Sequence, residues 1–531
     1  MNAHSLLTPT EQLLLQGGDE RLALGDAGLN KYGCGAWPEP ALAAFGSSTA
    51  TAVSGAGYAA AHRLRRRLLA GASHGAQTLY RQASERIRTE IKALCGLSDL
   101  PGLEVALAAS GTDLHLIAAV WAAAASDGRR PLVIMTDPAE TGRGVANALR
   151  GRHFAGHSAL GHALIEGTPL DPRLAVDVAQ ISLRDDSGQA RRLSDIDQEV
   201  ETLAAQAIAG GQRVLLVALD VSKTGLLAPS PRCVAALRRR WPQQLDVMVD
   251  ACQFRLSNAT LRRYLEAGCL VAITGSKFIT GPSFSGALFV PATAQLRASA
   301  LPGVLRAYCA RAEWPAAWGA GAAFDEAVNF GLLLRWEAAL TEWRAWCQLP
   351  PGPVRAFVTA FGAAVQDRLM ADRHFEPLCA PPLDRGELGD AGCWDALPSI
   401  FSFVLHRVAD DGSRVALSRD QTAALYQRLP LDMATPVNRR GLGIAMSDIN
   451  DSGAAAAALR CQFGQPVACG CRDGTPLSAL RLSLSARLVA EALADGGTGA
   501  ERVIRRALAA LDKAAWLVQA LHAPKPELHH A

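Results

Sequence analysis

"VDACQFRLSNATLRRYLEAGCLVAITGSKFITGPSF", residues 249–284, sets an acid and an amine at the ends of two apolar runs. Leu245-Asp-Val-Met-Val leads into Asp250, and Cys269-Leu-Val-Ala-Ile-Thr-Gly-Ser leads into Lys277. Both runs have the length and β-branched content of buried strands. A charge at a strand end costs little in a polar cleft and a great deal if it stays unpaired in a core. The stretch therefore predicts two strands whose ends open on a polar cleft.

Working outward, the same alternation fills residues 100–295. Strands are predicted at Glu104-Val-Ala-Leu-Ala-Ala-Ser, Pro131-Leu-Val-Ile-Met-Thr, Val176-Asp-Val-Ala-Gln-Ile-Ser-Leu and Arg213-Val-Leu-Leu-Val-Ala-Leu-Asp, and a last one at Gly286-Ala-Leu-Phe-Val-Pro. Helices are predicted from about Thr112 to Ala125, from about Ser194, and near Pro231 to Arg240. Seven short apolar runs with intervening helices give an α/β fold, a mostly parallel seven-stranded sheet with helices on both faces. In such sheets ligands sit beyond the carboxyl ends of the strands. Asp250, Lys277 and the Ser110-Gly-Thr-Asp turn all fall there. The expected division is an N-terminal arm with helices (1–100), the large domain (101–320) and a smaller α+β C-terminal domain with an insertion (321–531). A long helix is expected over 325–346, Pro-rich breaks at 349–353 and 377–382, and a joint at the Gly/Ala-rich 316–323. The last residues, from Ala523, read as frayed.

The whole chain bounds the function classes. Its 531 residues suit two or three domains at ~100–200 residues each. With 49 % hydrophobic and 19 % charged residues, it can bury a large core and is not a disordered chain. A net charge of +3 is too small to argue for nucleic acid or a membrane surface. The basic runs His62-Arg-Leu-Arg-Arg-Arg and Leu237-Arg-Arg-Arg read as solvated helix faces. The N-terminus lacks the pattern of a signal peptide. The apolar helical stretch Leu114 to Ala125 falls short of the ~20 residues that span a bilayer. Twelve scattered cysteines suit a reducing cytoplasm. Cys461, Cys469 and Cys471 cluster without a second pair or His array, so no metal site is expected.

Strand, then Ser110-Gly-Thr-Asp, then helix is the form of a backbone cradle for an anion, although a Ser at a helix start also serves simply as a cap. Thr274-Gly-Ser276 offers a second set of donors beside Lys277. A lysine amine forms Schiff bases with carbonyls, and pyridoxal phosphate pairs that chemistry with a phosphate and a ring nitrogen. Asp250 could keep that nitrogen protonated, and Gln253 could hydrogen-bond the ring hydroxyl. Each residue has a plainer alternative: Asp250 capping a turn, Gln253 a surface amide, Lys277 reaching to solvent.

Together, Val249-Asp-Ala-Cys-Gln, Ile273-Thr-Gly-Ser-Lys277-Phe-Ile-Thr-Gly-Pro and Ser285-Gly-Ala-Leu-Phe-Val resemble the core of fold type I pyridoxal-phosphate enzymes, in the class V aminotransferase and cysteine desulfurase branch. That motif runs V-D-A-x-Q, some two dozen residues, then S-x-H-K-x-x-G-P and a G-x-L-y-V strand. The 27 positions from Asp250 to Lys277 are close to the usual gap. The resemblance covers roughly residues 100–295. It implies pyridoxal 5'-phosphate as cofactor, Lys277 as the aldimine lysine and proton shuttle, Asp250 as the pyridinium partner and Gln253 as the O3′ contact. Gly111, Thr112, Thr274 and Ser276 would form the phosphate cup. Leu480-Arg481-Leu-Ser-Leu-Ser resembles the family's C-terminal R-x-S strand, whose arginine holds a substrate carboxylate through its fork of donors. A salt-bridged surface arginine is the plainer reading, and Arg487 is the runner-up. In Gly28-Leu-Asn-Lys-Tyr-Gly-Cys-Gly-Ala-Trp-Pro, Asn30 or Tyr32 could touch the substrate as part of an arm; a surface turn is the alternative.

The departures carry weight. Glu140-Thr141 stands where desulfurases have E-H, so Thr141 packs on the ring face without stacking as an aromatic. Ser276 replaces the His before the lysine. Asp220-Val-Ser-Lys-Thr-Gly replaces the Asn-containing turn, giving Ser222 a different role. Cys379 and Cys393 fall in a loop-like region where a persulfide-forming enzyme needs its cysteine, without a supporting motif. The expected activity is that of an enzyme acting on an amino acid or amine through an external aldimine, with transamination first. The rivals are a lyase or β/γ-replacement enzyme, including desulfurase-like C–S cleavage, and a non-catalytic cofactor-binding protein. The resemblance implies a homodimer; the cysteine usage suits the cytoplasm, and the charge balance suits a protein without a nucleic-acid or membrane partner.

Overall fold

The computed structural model describes residues 6–378, 381–409, 411–439 and 451–522; Cys379 and the tail from Ala523 lie outside the described residues. The chain enters with a short strand, Ala43–Phe45 (β1), and two helices, Gly55–Ala70 and Ala76–Leu94. Next comes the region read as alternating: Glu104–Ala108 (β2), Leu132–Thr136 (β3), Asp177–Ile181 (β4), Val214–Leu219 (β5), Leu245–Asp250 (β6), Leu270–Thr274 (β7) and Gly286–Val290 (β8). These form one seven-stranded sheet in the order β2-β8-β7-β6-β5-β3-β4. Pairing is parallel among β3, β4, β5, β6 and β7, while β8 runs antiparallel to both neighbours. The mostly parallel seven-stranded sheet expected from the sequence is present, and the reversed β8 makes it mixed.

Its central strands are largely apolar because both faces are covered, whereas the edge strand β4 is mostly half-exposed. Val105, Leu216, Val249 and Ile273 face a core shared with the helices at Ala76–Leu94, Leu193–Ala209 and Phe330–Cys347. Ala106, Leu215, Met248 and Ala272, their alternates, face the helix Gly111–Ala124 and Trp314. Period-two alternation between two dry cores is what a strand buried on both sides requires.

The second sheet is built mostly from the C-terminal part: Phe375–Pro377 (β9), Ile400–Val408 (β10), Arg414–Ala416 (β11), Cys461–Arg472 (β12) and Thr475–Ser483 (β13). Its order is β1-β12-β13-β10-β11, with β9 on β10. The N-terminal strand β1 thus pairs with β12 in parallel, Ala43 opposite Cys461. The long helix expected at 325–346 begins at Phe330, capped by Asn329, and the first Pro-rich break is the start of a further helix, Pro351–Ala371. Proline suits that first turn because its missing N–H has no intrahelical partner there. Among the described residues no helix is long and apolar enough to cross a membrane.

Candidate active site

At the carboxyl edge of the large sheet the loops after β2, β3, β5, β6 and β7 surround a cavity of ≈ 370 Å³. Ser110, after β2, caps the helix Gly111–Ala124, its side chain accepting the Asp113 N–H, and the first helical residues look into the cavity. Gly111 is needed there: a Cβ would stand 2.8 Å from Cys252 Sγ. That close approach leaves the cradle wall to backbone.

Asp250 ends β6 on the same cavity. Its Oδ1 accepts the Cys252 N–H at 3.1 Å. His115 Nε2 stands 3.1 Å from Oδ2, out of line for a hydrogen bond, while His115 Nδ1 donates to the Gly111 carbonyl at 2.7 Å. Burial works against the charge of Asp250, but the His115 ring, the Cys252 side chain and Lys277 together hold its carboxyl well below the usual range. Lys277 lies three residues past β7, its carbonyl accepts the Thr280 N–H at 2.9 Å, and its amine makes no hydrogen bond or ion pair among the described residues. The Thr274 hydroxyl donates to the Cys252 carbonyl at 2.7 Å, tying the two loops together, and Ser276 faces the cavity.

Arg481 reaches the cavity from β13. It is 1 % exposed and has no carboxylate partner among the described residues. Nη2 donates to Thr49 Oγ1 at 2.8 Å and Nη1 to the Lys223 carbonyl at 3.3 Å, while Nε finds no acceptor. Burial lowers its guanidinium to about 10. The runner-up, Arg487, is spent on the Thr280 carbonyl and Glu342.

Ser110, Gly111, Thr112, Thr141, Asp250, Thr274, Ser276, Lys277, Arg481 and Tyr32 are thus brought to one cavity. Three other candidates face elsewhere. Gln253 donates through Nε2 to the Ser48 carbonyl at 2.9 Å, with its Oε1 left without a partner. Ser222 donates to Glu140 at 2.7 Å within a buried knot that includes Thr224 and Arg184. Asn30 accepts the N–H groups of Tyr32 and Cys34, shaping the turn that presents Tyr32. Cys393 is half-buried away from the cavity, and burial raises its thiol.

Sequence reading missed several cavity residues. His115 had a signal, since it follows Gly111 by four positions on a helix and so shares its face. Arg21 had none: it arrives from the N-terminal segment, paired with Asp19 at 2.6 Å, and donates to Thr112 Oγ1 and Ser110 Oγ at 3.3 Å. Lys31, Arg143 and Lys223 also reach the cavity.

Neither a protein-family model nor a curated protein matches the chain. Solved structures resemble it weakly. A NifS-like protein from Rickettsia africae is 11 % identical at a TM-score of 0.48, over 89 % of this chain and 99 % of its own. The Oryza sativa TDC with PLP and tryptamine is 14 % identical at 0.47, over 90 % and 83 %. The cysteine desulfurase CsdA of Escherichia coli is 12 % identical at 0.43, over 90 % and 95 %. At these values the likenesses carry no argument about chemistry, and the site is read from its own side chains.

Proposed function

We propose that the cavity holds pyridoxal 5'-phosphate on Lys277 and acts on an amino acid or amine, with transamination as the reaction. The observation that carries this reading is the placement of Asp250 and Lys277. An acid that ends β6 and an amine three residues past the adjacent β7, unpaired among the described residues, meet on one cavity beside a glycine-lined helix N-terminus.

The residues present suit such a group. The N–H groups at Gly111 and Thr112 and the hydroxyl of Ser276 form a cup for a phosphate, helped by the helix dipole. Asp250, kept anionic, can hold a proton on a ring nitrogen. Bound there, the cofactor supplies an electron sink for the bonds at the substrate Cα. Lys277 can move the proton at that carbon. Arg481, buried without a counter-ion among the described residues, can fasten a substrate carboxylate. Transamination asks for no more than this set. The sequence resemblance further supports a homodimer, and the scattered cysteines a reducing cytoplasm.

The test is the visible absorbance of the protein with added pyridoxal phosphate, beside Lys277→Ala, before and after borohydride. A yellow adduct that borohydride fixes to Lys277 and the variant cannot form is the expected result. A protein that stays colourless overturns the reading and leaves Asp250 and Lys277 as structural charges. Product analysis then separates the reactions: a keto acid with aminated cofactor means transamination, and pyruvate with ammonia or a released side chain means a lyase.

A further inference from the structure

The cavity carries more positive charge than a cofactor and one carboxylate use. Arg21, Lys31, Arg143, Lys223, Lys277 and Arg481 line it, against Glu20, Glu166 and Asp250. Asp19 neutralises Arg21, and Asp250 faces His115. Glu20 is half-exposed, 3.5 Å from His157, and Glu166 is exposed. With Lys277 given to the cofactor and Arg481 to the α-carboxylate, Lys223, Arg143 and the exposed Lys31 remain.

Lys223 is fixed in place by its neighbours rather than by a counter-ion. Its N–H donates to the Glu140 carbonyl at 3.0 Å, and Ser222 and Thr224 on either side are fastened to the Glu140 carboxylate. That carboxylate is already engaged by Arg184 as well. The amine of Lys223 has a single hydrogen bond, 3.3 Å to the Ala139 carbonyl, and no ion pair among the described residues. Arg481 grips the Lys223 carbonyl, so the two cations sit side by side on one wall. Arg143 stands exposed on the same cavity with no hydrogen bond or ion pair among the described residues. Cations gathered without anions are costly until an anion joins them.

We propose that the substrate of this site carries a second anionic group, as a dicarboxylic amino acid does, its side-chain acid seated on Lys223 and Arg143 while Arg481 holds the α-carboxylate. The inference rests on the cofactor reading above. Burial, with Arg481 and Lys277 nearby, lowers the Lys223 amine to about 7; Arg143 adds to this and Glu140 opposes it. The Lys223 half of the seat therefore gains its charge as pH falls through about 7 and loses it as pH rises, until an anion restores the proton.

Cofactor uptake by the wild type is measured first, because its absence overturns the cofactor reading and this inference with it. On the loaded protein, dissociation constants for glutamate and aspartate are set against glutamine and asparagine. Glutarate and butyrate, which lack an amine, are compared by their shift of Tm. We expect at least one acidic amino acid to bind about thirtyfold tighter than its amide, as for a buried charge pair, and glutarate but not butyrate to raise Tm. The preference should weaken above pH 7 by up to about tenfold per pH unit. Lys223→Met should abolish it with cofactor uptake unchanged. Arg143→Met, which breaks no bond in the fold, should reduce it. Equal binding of acid and amide overturns the inference while the cofactor reading stands. Loss of cofactor affinity in both variants, with the preference intact, also overturns it by assigning these cations to the cofactor phosphate.

Discussion

A carboxylate as deeply set as that of Asp250 takes up a proton unless its surroundings favour the charge. Here the His115 ring and the Cys252 N–H do so, and the Gly111 carbonyl fixes which nitrogen His115 turns toward the acid. His115 is a positioning residue acting through Asp250. Because the folded value lies below the ordinary one, Asp250 contributes stability above the unfolded value near 3.8, lost as pH falls through the folded value. In His115→Leu the folded value rises. The acid limb of cofactor retention, followed by absorbance, should therefore move to higher pH with full loading kept at pH 8. A limb that stays in place would show that His115 only fills space. At this scale the sequence displayed Asp250, Lys277 and the Ser110 turn, because each closes a short apolar run. Arg21 and Lys31 were hidden, since nothing local tells an N-terminal arginine that it will meet a helix start about ninety residues on.

At the scale of elements, the loop carrying Lys277 is held by close backbone approach. A Cβ at Gly281 would lie 2.8 Å from both Ala339 Cα and the Gly275 carbonyl, and one at Gly275 would lie 2.8 Å from Ala339 Cβ. The helix Phe330–Cys347 therefore presses directly on the turns around the lysine. The backbone there is also strained: Thr280 has φ 64° and Phe284 φ 71°, and Val221 and Phe254, after β5 and β6, have φ 60° and 52°. Side chains with a Cβ adopt such angles only when surrounding structure enforces them, and such residues gather at functional sites. Gly281→Ala should cost about 1–3 kcal/mol in chemical denaturation, as overpacking does, and weaken cofactor uptake by displacing Lys277. A variant of full stability with normal uptake would mean that the helix yields without moving the loop. The central strands were legible because strands buried on both faces read as apolar runs, and the edge strand β4 by its β-branched Val178 and Ile181. Their order, and the reversal of β8 between β2 and β7, were not, because pairing is decided between segments far apart in the chain.

Over the whole molecule, the cavity is closed by segments from both ends of the chain. The N-terminal segment supplies Arg21 and Tyr32, crosses to the C-terminal sheet as β1, and brings Ser48 and Thr49 beside Arg481. Arg255 joins the same parts from the large domain, donating to Leu484 at 2.7 Å, Ser399 at 3.0 Å and Ser47 at 2.9 Å. The arm was foreseeable from its turn-forming composition, its strand pairing was not: three residues of Ala43–Phe45 carry too little pattern. Arg335 is what fastens the arm's beginning. Fully buried in the helix Phe330–Cys347, it donates to the carbonyls of Leu14, Gln16 and Gly17 and, at 2.8 Å, to that of Phe284. One guanidinium thus ties residues 14–17 to the loop that follows Lys277. In Arg335→Met the carbonyls of Leu14, Gln16 and Phe284 lose this donor, while Gly17 keeps that of Asn329, at about 1–3 kcal/mol for each that stays buried unpaired. The N-terminal segment should then open before the sheets unfold. Trypsin should cut early at Arg21 or Lys31, and ligands of the cavity should bind more weakly. The far-ultraviolet circular dichroism should keep its native shape at 25 °C. Early loss of that signal together with cleavage would instead mean that the arm and the large sheet unfold as one unit, making the N-terminal segment part of the core rather than a wall of the site.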